Sequence, residues 1–218
     1  MVKRLFVFLP LLLFIAAAGN FIFHELRLKS SFNETRQRLM LVAANAAVSI
    51  DGETLLKVPP QMEGEAALEY RLIRQKLIRF KEANPFLKYI YIVTASDQPG
   101  IMQYLVDADP LPKIITASSP SSFPGDKYDT RQFPEILNAY DGPAADKKIT
   151  VDAWGTLISG YAPIRDPSGK VIAILGADVD ATGLLAMQEN SGRFRWWVVW
   201  SGLLLLISLV AGRIPHAQ

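Results

Sequence analysis

Cysteine is absent from the 218 residues, and histidine occurs only twice. The missing thiols exclude disulfides and cysteine nucleophiles, although they do not identify the redox compartment. His24 borders an apolar segment and His216 lies near the C-terminus, so neither is well placed for acid–base catalysis. A glycine-rich phosphate loop, an HExxH motif and a GxSxG motif are also missing. We therefore expect no catalytic residue and no cofactor in this chain.

Because cysteine is absent and histidine is rare, nitrogen and sulfur ligands for a metal ion are scarce. A metal site would have to use oxygen ligands alone, and the best candidates are Asp107, Asp109 and Asp129. Acidic residues in a polar loop are more often solvated than metal-bound, so we predict no metal site.

An excess of one charge is missing too. The 23 lysines and arginines nearly balance the 21 acidic residues, and the net charge is +2. Nucleic-acid-binding domains carry a basic patch or stripe, so we expect no nucleic-acid partner. Half of the residues are hydrophobic, which is at the top of the range for soluble domains.

Much of this hydrophobic excess lies at the two ends. Residues 5–23 carry no charge, and 19 helical residues at about 1.5 Å each nearly cross the roughly 30 Å apolar core of a membrane. Residues 196–212 also carry no charge, and three tryptophans mark their first end as a membrane interface. We predict transmembrane helices at 5–23 and 194–212. The alternative for the first is a cleavable signal peptide, with "MVKR" before the apolar run and "AAAG" as the cleavage site.

The orientation follows from the length of the intervening region. Lys3 and Arg4 favour a cytoplasmic N-terminus, whereas Arg27 and Lys29 argue against it. Long loops are translocated largely regardless of charge. We therefore place residues 24–193 outside the cytoplasm, in the periplasm, and predict a two-pass protein of the inner (cell) membrane with a short cytoplasmic tail at 213–218.

Residues 24–50 lack glycine and proline and are predicted to form a long stalk helix. Apolar or small residues recur in alternating steps of four and three: Leu28, Phe32, Thr35, Leu39, Val42, Ala46 and Ser49. That spacing is typical of a coiled-coil seam and favours a homodimer. The alternative is one helix face packed on its own domain.

A second helix is predicted at 61–83, with an apolar face formed by Ala66, Tyr70, Ile73, Leu77 and Phe80. Five strands are predicted at 88–95, 100–109, 147–152, 156–166 and 170–180, and short turns make them antiparallel. A short helix at 131–140 and an exit helix at 181–190 complete the α+β pattern. One sheet face is expected to lie on the N-terminal helices. Residues 110–140 are the only segment left to cover the other face, so we expect a lid with a pocket beneath it.

Three motifs carry a resemblance to a known family: "YDTRQFPEILNAYDG", "VDAWGTLISGYAPIRD" and "SGKVIAILGADVD". In this order they resemble the Cache (PDC) extracytoplasmic sensor domains of bacterial signal-transduction receptors. The resemblance implies a PAS-like five-stranded antiparallel sheet behind a long N-terminal helix. It also implies that the chain senses small extracellular ligands and is not itself an enzyme. A kinase or cyclase output would then lie on a longer parent chain or on a cytoplasmic signalling partner.

The resemblance also implies two charged contacts. Amino-acid-sensing members place an aspartate near the end of the last strand, facing the ligand ammonium, and Asp178 matches it. Their D-x-R-x-x-P run is matched by Asp129, Arg131 and Pro134, which makes Arg131 a candidate for binding a ligand carboxylate. The aromatic pair that follows in the family is replaced here by glutamate and isoleucine, so the ligand carries either an amine or a carboxylate.

The remaining candidates are aromatic. Side chains alternate along a strand, so Tyr91 and Tyr104 face either the pocket or the core. Tyr128 is a candidate lid residue, and Trp154 and Tyr161 are candidate pocket walls. The function predicted from these residues is a membrane-bound sensor module that binds a small ligand and relays a conformational change. The alternative is a membrane-anchored protein-interaction or dimerisation module without a small ligand.

Overall fold

A computed structural model describes residues 2–109 and 122–211. Most of the polar first part of the predicted lid, residues 110–121, lies outside the described residues, as does the predicted tail at 213–218.

The chain divides into two compact units. Among the described residues, 34–109 with 122–182 form a mixed helix-and-sheet domain, and 2–33 with 183–211 form a helical unit. The helices are α1 (Val2–Ser49), α2 (Gly52–Leu55), α3 (Leu68–Ala83), α4 (Pro134–Asn138) and α5 (Thr182–Ala211), with a 3-10 turn at Met62–Ala66. The strands are β1 (Leu87–Ala95), β2 (Ile101–Asp107), β3 (Lys127–Asp129), β4 (Ala144–Ala145), β5 (Thr150–Asp152), β6 (Gly155–Arg165) and β7 (Val171–Asp180).

Most helix boundaries follow local sequence signals. Helix α1 ends at Ser49, and Asp51 then caps α2 by accepting a 3.1 Å hydrogen bond from the backbone N–H of Thr54. The prediction of one helix at 61–83 is wrong at its start. Ala67 adopts an extended conformation after the 3-10 turn, and α3 begins only at Leu68.

All five predicted strands are present, and every strand pair is antiparallel. The sheet has seven strands in the order β3-β2-β1-β7-β6-β4, with β5 also paired to β6. The prediction of five strands is therefore incomplete. The two extra strands, β3 and β4, contain three and two residues, which is too short for an alternating pattern to be recognised.

Each face of the sheet has its own helices. Helix α3 buries Tyr70, Ile73 and Leu77, three of the five residues of its predicted apolar face, and it contacts β1 and β2. Helix α4 belongs to the predicted 110–140 excursion, and its Ile136 packs in a core cluster with Tyr91, Tyr104 and Tyr161. The expectation that this excursion covers one sheet face is confirmed for α4, whereas Lys127–Asp129 of the same excursion join the sheet as β3.

Helix α1 lies against β6 through small residues. Its buried residues in the domain are Leu39, Ala43, Ala46 and Ala47. Of the predicted coiled-coil seam, Leu39 and Ala46 are buried, and Ser49 is exposed. One face of α1 therefore packs on its own domain, as one of the two interpretations predicts. A dimer formed through α1 stays a prediction.

The helical unit contains two candidate membrane spans. Among the described residues, α1 and α5 are long and apolar enough to cross a membrane. Within this unit the ring of Phe14 faces Gly202, the rings of His24 and Phe194 lie 5.0 Å apart, and the Ser191 hydroxyl donates to Glu25.

Gly160 controls how closely α1 approaches the sheet. A Cβ at this position would lie 2.6–2.8 Å from Cβ, C and O of Leu39. We expect Gly160→Ala to destabilise the domain by about 1–3 kcal/mol, because backbone atoms cannot move aside cheaply. Thermal unfolding of the detergent-solubilised chain, followed by circular dichroism, measures the effect. Gly142→Ala is the matched control, since no heavy atom lies within 4 Å of its Cβ position. Equal melting temperatures for the two variants would contradict this packing.

Candidate functional site

The face of the sheet opposite α1 and α3 contains a small cavity. Six aromatic side chains line it: Tyr89, Tyr91, Tyr104, Tyr128, Phe133 and Trp154. The other lining residues are Asp107, Thr150, Asp152, Leu157, Ser159 and Asp178. The space open to the centre of a water molecule is about 20 Å³, which is enough for about one water molecule. Any larger molecule requires these side chains to move.

The aromatic rings form one continuous wall. Tyr104 is at its centre, with ring centroids 5.5 Å from Tyr91, 5.7 Å from Tyr128 and 6.2 Å from Trp154. Tyr128 stacks on Phe133 at 5.6 Å, and Tyr89 meets Trp154 edge-on at 5.9 Å. These separations are typical of favourable aromatic pairs. Contacts between the rings therefore stabilise the present arrangement of the wall.

Asp178 is the buried acid of the cavity. It lies on β7, opposite Tyr89 on β1 and Ser159 on β6, and is 5% exposed. The Tyr91 hydroxyl donates to its Oδ1 at 3.4 Å, which is a long contact. The pKa of Asp178 is raised to about 8, mainly by burial. A hydrogen bond from Ser159 lowers this pKa, and the nearby acids Asp146, Asp107 and Asp152 contribute to the rise.

Two other buried acids lie close by. Burial raises the pKa of Asp107 and that of Asp146 to about 6. Asp107 accepts the backbone N–H of Asp109 at 2.9 Å, and Asp146 accepts that of Ser159 at 2.9 Å. No group of three acidic or histidine side chains close enough to hold a metal ion occurs within residues 2–109 and 122–211.

A glycine lets Tyr91 reach Asp178. Gly176 is the strand partner of Tyr91, and a Cβ at Gly176 would lie 2.5 Å from the Tyr91 ring and 2.8 Å from its hydroxyl. The ring therefore occupies the space that a side chain at Gly176 would fill, and its hydroxyl reaches the carboxyl group of Asp178. Gly176 is therefore a positioning residue for the cavity.

The structure brings together five of the seven residues predicted for the site. Asp178, Tyr91, Tyr104, Tyr128 and Trp154 all line the cavity. Tyr161 is fully buried in the core cluster beside the cavity lining. The part each plays in ligand binding stays a prediction.

Arg131 is in a different environment. It is exposed and forms an ion pair with Asp129, with Nε to Oδ1 at 2.9 Å and Nη2 to Oδ2 at 2.5 Å. This two-point pair is local, because the two residues are only two positions apart. Arg131 is not among the described residues that line the cavity.

Asp107 and Asp152 are lining residues that the sequence did not assign to the pocket. The register of β1 against β2 shifts between Ile92 and Val93, so Tyr91 opposes Asp107 while Val93 opposes Tyr104. Residues 104 and 107 therefore reach the same cavity although strict alternation would put them on opposite faces. Asp152 ends β5 and accepts the backbone N–H of Trp154 at 2.8 Å, which forms an Asx turn. The strand pattern of the sequence gives no signal for such a turn.

Comparison with known proteins identifies the fold. A scan against models of protein families finds no match for this chain, and a search of curated protein sequences finds none either. The ligand-binding domain of the Campylobacter jejuni chemoreceptor Tlp3 in complex with L-valine superposes with a TM-score of 0.50 at 13% identity, covering 83% of this chain and 66% of that one. The sensory domain of the same chemoreceptor gives a TM-score of 0.50 at 13% identity, covering 83% and 67%.

The sensor domain of the V. cholerae histidine kinase DctB is also similar, with a TM-score of 0.48 at 10% identity over 79% of this chain and 56% of that one. This chain spans about two thirds of the length of the chemoreceptor domains. Those two domains show the fold: a long N-terminal helix and an antiparallel sheet of the sensory-domain type. The long N-terminal helix and the antiparallel sheet implied by the Cache resemblance are thus confirmed, whereas its count of five strands is not.

The raised pKa of Asp178 gives the domain a specific pH dependence. The folded form holds the proton to about pH 8, whereas the unfolded chain releases it near pH 4. Stability therefore falls as pH rises through that window, and we expect a loss of about 1 kcal/mol between about pH 7 and pH 8.

Asp178→Asn removes this dependence, so its unfolding free energy should stay flatter over the same interval. Asp107 and Asp146 are largely ionised before it begins. Chemical unfolding of both proteins across this pH range measures the two slopes. Parallel slopes would mean that Asp178 is not a buried, protonated acid.

Proposed function

We propose that this chain is the membrane-bound sensor module of a bacterial receptor, in which residues 34–182 bind a small molecule in the Asp178 cavity. The observation that carries the proposal is a carboxyl group almost wholly buried, and weakly hydrogen-bonded, at the wall of an aromatic cavity. A buried ionisable group is costly unless it gains a partner. A ligand cation would supply that partner. The sensory-domain fold is consistent with this role.

The direct test is ligand binding by the full-length chain in lipid nanodiscs. We expect isothermal titration with a panel of amino acids, amines and organic acids to identify a ligand whose affinity falls about ten- to a hundredfold in Asp178→Asn. The reason is that a charge-assisted hydrogen bond contributes roughly 1.5–3 kcal/mol.

Asp180→Asn is the matched control for this test. Asp180 lies on the same strand but is exposed, and it caps α5 by accepting the N–H of Thr182 at 2.9 Å, which asparagine can also do. If a ligand binds and Asp178→Asn leaves its affinity unchanged, the cavity is not the binding site.

A hydrogen-bonded route from the cavity to α1 supports a relay role. Ser159 is the β6 partner of Asp178, and its N–H bonds to the carboxylate of Asp146. Arg36 of α1 in turn donates to the carbonyl oxygens of Asp146 at 2.7 Å and Ala145 at 3.2 Å. A ligand that favours one arrangement of Asp178 and Ser159 would thereby bias α1. In this proposal α1 and α5 cross the inner membrane and pass the change to a cytoplasmic signalling partner.

The relay is testable because the chain has no native cysteine to interfere. Phe14 on α1 and Gly202 on α5 face each other. If both are replaced by cysteine, the rate of disulfide formation in membranes measures how closely the two helices approach at this point. We expect a ligand found in the panel to change this rate at least about twofold, and Arg36→Ala to abolish the change while leaving affinity within about threefold.

Arg79→Ala, at an exposed position on α3, is the control variant and should respond like the parent. An unchanged response in Arg36→Ala would rule out this arginine as part of the relay.

A dimerisation module is the second candidate function. It is favoured by Leu41 and Val48, which are 67% and 88% exposed and lie seven residues apart on α1. That spacing suits a helix pair between two copies. A chain that binds nothing in the panel, yet dimerises through α1, would support this second function over the first.

A further inference from the structure

The cavity has a one-sided charge balance. Three of its lining residues, Asp107, Asp152 and Asp178, are acids, and no lysine, arginine or histidine is among the described lining residues. Lys88 touches the wall from outside the lining set, with its Nζ 3.4 Å from the Trp154 carbonyl oxygen and 5.4 Å from the Tyr89 ring. It and two other cations are paired with acids that do not line the cavity. Lys81 pairs with Asp109, Lys88 with Asp180, and Arg131 with Asp129.

This balance is unsuitable for the carboxylate of an amino acid. Such a group would enter beside Asp107 and Asp152, and beside Asp178 once it ionises, with no cation among the described lining residues. Like charges brought together across a binding surface discriminate strongly against a ligand. The aromatic wall adds to the same preference, because ring faces attract cations. Resting on the function proposed above, we infer that the cavity binds a small organic cation that carries no carboxylate, with its ammonium group on Asp178 and its alkyl part against the rings.

The size and spacing of the cavity narrow the ligand further. About 20 Å³ of free space admits only a small group unless Tyr104 and its neighbouring rings shift. The acids are too far apart to hold a metal ion, since no cluster of three occurs in the described part of the chain. A compact alkylammonium, buried in part between rings, meets both conditions.

One other chemistry must be distinguished. A protonated Asp178 can donate its O–H to a ligand carboxylate, and an acid ligand would then be held without a cation. The titratable groups that interact with Asp178 are Tyr91, Tyr104, Tyr128, Tyr161, Asp107, Asp146 and Asp152. Ser159 on β6 adds a hydroxyl. None of these groups carries the positive charge that would balance an anion. The two chemistries have opposite pH dependences: binding of an alkylammonium expels the Asp178 proton and strengthens with pH, whereas binding of a carboxylate weakens.

Three probes that share an isobutyl group separate these possibilities. Isobutylammonium is L-valine without its carboxylate, and 3-methylbutanoate is L-valine without its ammonium. Each is titrated into the full-length chain in nanodiscs at about pH 6.5 and about pH 8.5. We expect isobutylammonium to bind at least about tenfold more tightly than L-valine, and to gain at least about fivefold in affinity at the higher pH. We expect 3-methylbutanoate not to bind.

Asp178→Asn should weaken isobutylammonium binding about ten- to a hundredfold, and Asp180→Asn should leave it unchanged. Failure of isobutylammonium to bind overturns the inference. So does equal or tighter binding of L-valine, or binding of 3-methylbutanoate that weakens with pH. If either of those two ligands binds and Asp178→Asn abolishes the binding, the proposed site stands and only the cation preference is wrong. If neither the panel nor any of the three probes binds, both proposals are wrong.

Discussion

The domain is organised around one costly group, the carboxyl of Asp178 in the middle of the sheet. Its strand β7 is paired on both sides, with β1 and β6, so the acid cannot turn toward solvent at a sheet edge. Transferring an ionised carboxylate from water to such a site is strongly unfavourable. The surroundings reduce this cost with the Tyr91 hydroxyl, Ser159 and a raised pKa. The aromatic wall, Gly176 and the neighbouring acids all surround this carboxyl group.

The second requirement is close contact between helix and sheet on the opposite face. Three alanines among the buried residues of α1, and a glycine on β6, let the helix backbone approach the strand. Close approach brings Arg36 within hydrogen-bonding distance of two carbonyl oxygens at the start of the β4–β5 connection. The same strand, β6, therefore touches the helix on one side and presents Ser159 to the cavity on the other. The helix-facing side and the cavity-facing side of β6 are thus joined by one backbone, so a shift of the strand affects both.

Much of this arrangement was accessible from sequence, and the exceptions have identifiable causes. Alternation and turn residues predicted the long strands, and the resemblance to Cache domains indicated Asp178 as a charged contact in the pocket. Asp107 was not assigned to the cavity because a shift in register between β1 and β2 changes which side chains share a face. Arg131 stays a predicted ligand contact from its motif, and in the structure a local ion pair with Asp129 occupies its guanidinium. Neither a register shift nor a two-residue ion pair has a periodic signal.

Gly176 offers a way to read related sequences. Its lack of a side chain is what allows the Tyr91 ring to lie across β7, so a larger residue there is incompatible with the present cavity while remaining compatible with a β-strand. In a related sequence, the residue types at position 176 and at its strand partner, position 91, therefore indicate whether the cavity is present. A chain with glycine opposite tyrosine retains the means to hold its buried acid beside an aromatic wall. A chain with alanine or valine in place of this glycine can keep the sheet but not the cavity in its present form. We would expect such a domain to have a structural role and not to bind a ligand at this position.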